Sequence, residues 1–174
     1  HSDETAEAGF AMETNFSDIL VGFERIERGC CLAQTLGEEG GKGAVEAVFV
    51  DDMLYVSAHY PTDENGKLLW TGRVGDEIDE ETAYKAARQC GINMLRTIQA
   101  YVGDLDRVDY FVKVLCLVNS GKDFYNMPKV MNGFSDLMVE VFGHRGQHAR
   151  SAMGAYVLQG NSPVSVDAII KIRK

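Results

Sequence analysis

The chain is 174 residues long, the size of one ordinary domain, and 45% of it is hydrophobic, enough to build a core. No apolar run approaches the roughly 20 residues that span a bilayer, and no stretch has the basic start, apolar middle and small-residue cleavage site of a signal peptide. A net charge of -9 with no Lys/Arg stripe opposes a polyanion, which speaks against nucleic acid as the main partner but leaves room for one locally positive pocket that takes a small anion.

In chain order, residues 1–14 are acidic and small and read as a loose surface segment. Phe16, Ile19, Leu20, Phe23 and Ile26 fall at helical spacing and predict an amphipathic helix over residues 15–28. Residues 37–43 (GEEGGKG) form a glycine-rich connector without the spacing of a phosphate-binding loop. The segment 1–42 therefore reads as an N-terminal extension ahead of a domain over 43–174.

Within that domain, Val45 to Val50 and Met53 to Ser57 read as a hairpin turned at Asp51-Asp52. A second turn falls at Glu64-Asn65-Gly66. Asp79 is a good N-cap for a helix carrying Ala83, Ala87, Cys90, Met94, Leu95, Ile98, Tyr101 and Val102 on one face and stopping at Gly103. Val108 to Val118 reads as a long strand with Tyr110, Val112, Val114, Cys116 and Val118 on one face by alternation. Phe111, Leu115 and Leu117 make its other face largely apolar as well.

A second helix starts at Met127-Pro128, carries an apolar stripe through Val130, Met131, Phe134, Leu137, Met138 and Phe142, and ends at Gly143. A polar loop follows, then a strand from Arg150 to Leu158, a turn at residues 160–163, and a last strand from Val164 to Ile172. The order β-β-α-β-α-β-β predicts an α+β fold, with two helices on one face of a mainly antiparallel sheet and the extra helix in front. The last strand turns Val164, Val166, Ala168, Ile170 and Ile172 to the helices, and Ser165, Asp167, Ile169 and Lys171 to the other side. Strand 150–158 has a face of small residues, Ala152 and Gly154, below Arg150. Such a mixed second face suggests contact with another subunit.

The four cysteines, Cys30, Cys31, Cys90 and Cys116, have no metal-ligand spacing and read as reduced, structural thiols. That suits a reducing compartment such as the cytoplasm. The chain begins at His1, which leaves a removed targeting segment, and with it an organelle, open.

Few residues stand out for chemistry. Arg150 opens a strand just after a polar loop, and its guanidinium can grip a carboxylate bidentately at any working pH. A surface arginine at a strand end is the plainer alternative. His144 and His148 are four apart, but Gly143 and Gly146 argue against a helix face and no third metal ligand is evident. They read more simply as solvent-exposed loop histidines than as a metal or acid/base pair. Ser57 and His59 share a strand face by alternation, yet no acid and no oxyanion hole complete a hydrolytic triad.

Four segments resemble the RidA/YjgF family, also labelled the L-PSP endoribonuclease family. LYVSAHYPTDENGKL is similar to its hairpin segment, LYxSGxxPxDxxGKL. DEETAYKAARQCGINML with GDLDRVDYFVKVLCLVNS resembles its first helix and following strand. DFYNMPKVMNGFSDLMVEVFG resembles its second helix, and HARSAMGAYVLQGNSPVSVDAI its Arg-Ser signature before two strands. The resemblance covers Gly43 to Ile172 in order and spacing, and is nearer a branch distinct from the best-known imine deaminases.

The resemblance implies a chorismate-mutase-like fold in a homotrimer with pockets between subunits, needing neither metal nor cofactor. In active members of the family an arginine binds the carboxylate of a 2-imino or 2-keto acid, and backbone groups hold a water that attacks the imine carbon and releases ammonia. Arg150 stands at that arginine, Ser57 at the pocket serine and Asn132 at the helix asparagine. Ala152 stands where a backbone carbonyl orders the water, and Asp167 lies near the acidic C-terminal positions. Ala44 replaces a tyrosine, Ser165 a glutamate that assists the water, and Ala58 a glycine. Three functions follow as expectations: imine deaminase, non-catalytic carboxylate binder, or endoribonuclease, the last opposed by the charge.

Overall fold

The computed structural model describes residues 43–174. The expected helix over 15–28, nearly all of the glycine-rich loop, Cys30 and Cys31 lie outside the described residues. Strands β1 (Ala47–Val50) and β2 (Met53–His59) form the expected hairpin, in the register Ala47↔Val56 to Val50↔Met53. Helix α1 (Glu80–Val102) begins where the Asp79 carboxylate accepts the Thr82 N–H at 2.7 Å, and ends at Gly103, whose φ of 83° suits only a residue without a Cβ. Strand β3 (Val108–Asn119), helix α2 (Met127–Phe142), strand β4 (Ala149–Ala155) and strand β5 (Val164–Ile172) complete the unit.

The sheet order is β1-β2-β5-β3-β4. Every neighbouring pair is antiparallel except β3 and β4. Parallel strands need a crossover, and α2 is that crossover. Both helices bury their apolar stripes on one face of the sheet. Met94, Leu95, Ile98, Val130, Met131, Phe134, Leu137 and Met138 meet Leu54, Val114, Cys116, Val118, Val166 and Ile170, all fully buried. This is the expected α+β architecture.

Two details differ from the sequence reading. Strict alternation puts Tyr110 and Val112 inside, but β3 slips register twice against β5, between Val108 and Tyr110 and between Phe111 and Lys113. Phe111 turns inward, 1% exposed, and Tyr110 outward. The gain is aromatic packing: the Phe111 ring sits 6.4 Å from Phe134 and 5.6 Å from Phe142. Strand β4 also stops at Ala155, not Leu158. Its only partner among the described residues is β3, whose last residue Asn119 already stands opposite Ala155. Beyond that point the backbone has no ladder to join, and Tyr156 and Val157 are exposed.

The other face of the sheet is uncovered among the described residues. It carries Val48, Val50, Tyr55, Tyr110 and Met153, each between 42% and 52% exposed, with half-buried Leu115, Leu117 and Ile169. Lys113, Ser151 and Asp167 lie among them, and Lys113 Nζ donates to Ser151 Oγ at 2.6 Å.

The two helices touch most closely at Gly133, where a Cβ would overlap the Tyr84 carbonyl oxygen of α1. Flanking this contact, Tyr84 donates to Asp136 and Arg88 pairs with Glu140. Gly133→Ala should therefore destabilise the fold by about 1–3 kcal/mol despite its better helix propensity. Urea denaturation checks this; an unchanged or higher midpoint would mean the helices separate without cost.

Candidate functional site

Arg150 is the second residue of β4, an edge strand, and stands opposite Val114. Paired residues share a face, so Arg150, Ala152 (opposite Cys116) and Gly154 (opposite Val118) lie on the helix-covered side. The crossover helix α2 runs over them. Pro128, Asn132 and Ser135 are spaced four and three apart, so all three fall on one side of α2, and that side faces β4. Arg150 Nη1 donates to Asn132 Oδ1 at 3.0 Å and to Ser135 Oγ at 3.0 Å, and Nη2 donates to the Pro128 carbonyl at 3.2 Å.

A guanidinium has five N–H groups. Three are used here, so Nε–H and one Nη2 N–H carry no bond among the described residues. Nε and Nη2 lie along one edge of the planar guanidinium, the geometry that grips a carboxylate through two parallel bonds. No carboxylate pairs with Arg150 among the described residues. The charge is thus held by neutral acceptors only. Beside it, Ala152 packs against the core and Gly154 lies under Ser120, whose Oγ would stand 2.6 Å from a Cβ placed there.

Asn132 and Ala152 therefore lie with Arg150, and Ser57 does not. Three strand spacings separate β2 from β4, about 14 Å. Ser57 also sits on the opposite face. It forms a bulge with Ala58 between Val56 and His59, both of which point to the helices. Ser165 is 4% exposed and stands opposite Leu117 on the sheet's uncovered side; Asp167 is opposite Leu115. Burial raises the Asp167 carboxyl above its ordinary range, against the lowering effects of the Leu115 N–H and Lys113. Ala44 is exposed, ahead of β1.

The same bulge overturns the shared face expected for Ser57 and His59. The His59 ring turns inward and its Nδ1 bonds the Ser57 carbonyl at 2.8 Å, while the Ser57 N–H donates to the Glu46 carbonyl at 2.8 Å. Thr97 Oγ1 lies 2.8 Å from His59 Nε2 and 3.4 Å from Glu46 Oε2; with the ring neutral and Nδ1 donating to Ser57, the one hydroxyl proton goes to Nε2. His59, Thr97 and Glu46 are each 8% exposed. The cluster thus frames both backbone groups of Ser57 from inside. Burial lowers the pKa of His59 and raises that of Glu46.

The other two histidines also part company. His144 is exposed, in the short 3-10 turn Gly143–Gly146. It lines a hollow of about 440 Å³ with Asp109, Tyr110, Arg145, Gln147 and Arg173, beside the first residues of β3 and apart from Arg150. His148 is half-buried, contrary to the solvent-exposed reading, with its ring 6.2 Å from Phe111 and 6.0 Å from Phe134. Among the described residues no His, Cys, Asp or Glu cluster could hold a metal ion. Cys90 and Cys116 are buried thiols, as expected, and burial pushes Cys116 up to about 12.

Sequence reasoning missed Ser135, whose Oγ also lies 3.0 Å from His148 Nε2. The spacing of Pro128, Asn132 and Ser135 on α2 was the available signal.

Thr97→Val keeps the side-chain shape but leaves His59 and Glu46 without their bridge. It should cost about 1–3 kcal/mol in denaturant unfolding at pH 7. The His59 pKa is lower folded than unfolded, so its contribution is present above the unfolded value of about 6.5 and is lost as pH falls through the lowered folded value. The His59 contribution should decline as pH falls from about 6.5 towards the lowered folded value, while Glu46, raised by burial, contributes with the opposite sign. Nitrogen NMR of the ring checks it: an imidazolium at pH 7 would contradict the buried, neutral ring.

Relatives share this arrangement of elements. The TCP17 protein of Trypanosoma cruzi is 38% identical over 120 residues, covering 68% of this chain and 74% of its own. The crystal structure of Atu1372, a protein of unknown function from Agrobacterium tumefaciens, superposes with a TM-score of 0.73 at 36% identity, over 75% of this chain and 82% of that one. A Shewanella oneidensis structure gives a TM-score of 0.75 at 26% identity, over 90% of this chain and 98% of its own. Residues 36–171 match the family described as "YjgF/chorismate mutase-like, putative endoribonuclease". With its fold, its hairpin and its Arg-Ser strand all falling inside that match, the chain belongs to the YjgF/RidA family.

Proposed function

We propose that this protein binds small 2-keto and 2-imino carboxylates at Arg150, in a cleft completed by a neighbouring subunit of a homotrimer. One observation carries the reading. Arg150 is immobilised by three neutral acceptors, and its two remaining N–H groups face no carboxylate among the described residues. A fixed cation with a vacant fork favours a planar anion, at no further ordering cost to the side chain. Two features support a shared cleft. Arg150 lies at a sheet edge, and Ser57 can join it only from another chain. The uncovered face, with Val48, Val50, Tyr55 and Met153 near half exposed, offers the apolar surface for association.

Within such a cleft, imine hydrolysis would run without a cofactor. Water oxygen adds to the C=N carbon and a proton goes to nitrogen. The carbinolamine then loses ammonia as the C–N bond breaks, leaving the 2-keto acid. Arg150 would hold the substrate carboxylate through both steps. The residues that would polarise the water are the weak point: Ala44 has no ring and Ser165 no carboxylate. That observation favours a second reading, carboxylate binding without turnover.

Calorimetry with 2-ketobutyrate should give measurable affinity that falls about 10- to 100-fold in Arg150→Ala, with Arg150→Lys recovering only part of it. Equal, negligible heat from parent and Arg150→Ala would overturn the site. Ammonia release from an enzymatically generated 2-imino acid then separates the two readings: acceleration over buffer supports hydrolysis, and none, with the folded trimer verified, leaves the binder.

A further inference from the structure

The half-buried His148 is tied to Arg150 through one hydroxyl, and with the ring neutral the direction of each bond is fixed. Gly146 offers a carbonyl, which only accepts, to His148 Nδ1 at 2.7 Å. Nδ1 therefore carries a proton. In the neutral ring Nε2 is then an acceptor, and its partner is Ser135 Oγ at 3.0 Å. Ser135 spends its single proton on Nε2, so its lone pairs are what it presents to Arg150 Nη1 at 3.0 Å. The bonds run one way: Arg150 to Ser135 to His148, with the ring's other side anchored on Gly146.

Protonation of Nε2 would break this order. The imidazolium would donate to Ser135 Oγ, and the displaced hydroxyl proton would have to turn away from the ring, competing with Arg150 for space. The groups packed on His148 are Phe111 of β3, Phe134 and Ser135 of α2, and Gly146 of the loop. Among the described residues Arg150 is the one charged group acting on it: burial and then the Arg150 charge favour the neutral ring, against the Gly146 carbonyl, which favours the charged one.

We infer that His148 is a positioning residue: through Ser135, its neutral Nδ1–H tautomer locks the Arg150 guanidinium in the orientation that leaves the carboxylate fork open. The consequence for ligand affinity rests on the carboxylate reading above. The locking itself does not.

The test uses the whole chain. Nitrogen NMR of His148 should show the Nδ1–H tautomer at pH 7.5, with slowly exchanging Arg150 Nη protons. On acidification both signals should change with one midpoint. In His148→Phe, whose ring fits between Phe111 and Phe134, Arg150 Nη exchange should accelerate. In His148→Gln, whose amide oxygen can replace Nε2 as acceptor, it should return towards the parent rate and lose its pH dependence. Ser135→Ala should match His148→Phe, and the double variant should add nothing further. Affinity for 2-ketobutyrate should fall about threefold to tenfold in His148→Phe and recover in His148→Gln. Arg150 signals indifferent to His148 substitution and titration would overturn the inference. If instead those signals respond as stated while 2-ketobutyrate fails to bind the parent, the positioning role stands and the carboxylate reading falls.

Discussion

The parallel pairing of β3 with β4 governs the rest of the molecule. Strands that run the same way cannot be joined by a tight turn, so residues 120–148 must carry the chain back along the sheet, and α2 does so with its apolar stripe down. That return lays Pro128, Asn132 and Ser135 over the first residues of β4. Arg150 meets three acceptors there, and no carboxylate among the described residues. The site is a by-product of the crossover: an antiparallel β4 would not require α2 as its bridge.

Much of this was legible in the residues. Hydrophobic periods of 3.6 and 2, an Asp79 cap and Gly103 and Gly143 stops mark the elements because each reflects a local physical demand. The departures all come from tertiary balance. Alternation fails in β3 because burying the Phe111 ring against Phe134 and Phe142 outweighs a regular ladder. Strand β4 ends where its partner ends, which no local signal in Tyr156 or Val157 reveals. Ser57 and His59 part faces because a bulge adds a residue between Val56 and His59, and the inward ring finds Thr97 and Glu46, both distant in sequence. His148 looked like a loop histidine because its neighbours in sequence are glycines and polar residues. Its neighbours in space are two phenylalanines.

The candidate site was legible only in part, for a reason of geometry. The residues assembled on one protomer, Arg150, Asn132 and Ala152, come from α2 and β4, which the crossover forces together. Ser57 belongs to the far side of the same sheet and to its other face. A motif read along one chain cannot tell a pocket within a subunit from one between subunits. The sheet's apolar face, uncovered among the described residues and with the Lys113, Ser151 and Asp167 polar cluster set into it, fits the proposed association, as does the position of β4 at the edge of the described sheet.

A crystal structure of the protein soaked with 2-ketobutyrate tests the central claim most directly. The account predicts the ligand carboxylate bidentate on Arg150 Nε and Nη2, with Ser57 from a second protomer lining the same cleft. An Arg150 fork open to bulk solvent in the assembled protein, with the keto acid absent or bound elsewhere, would contradict it.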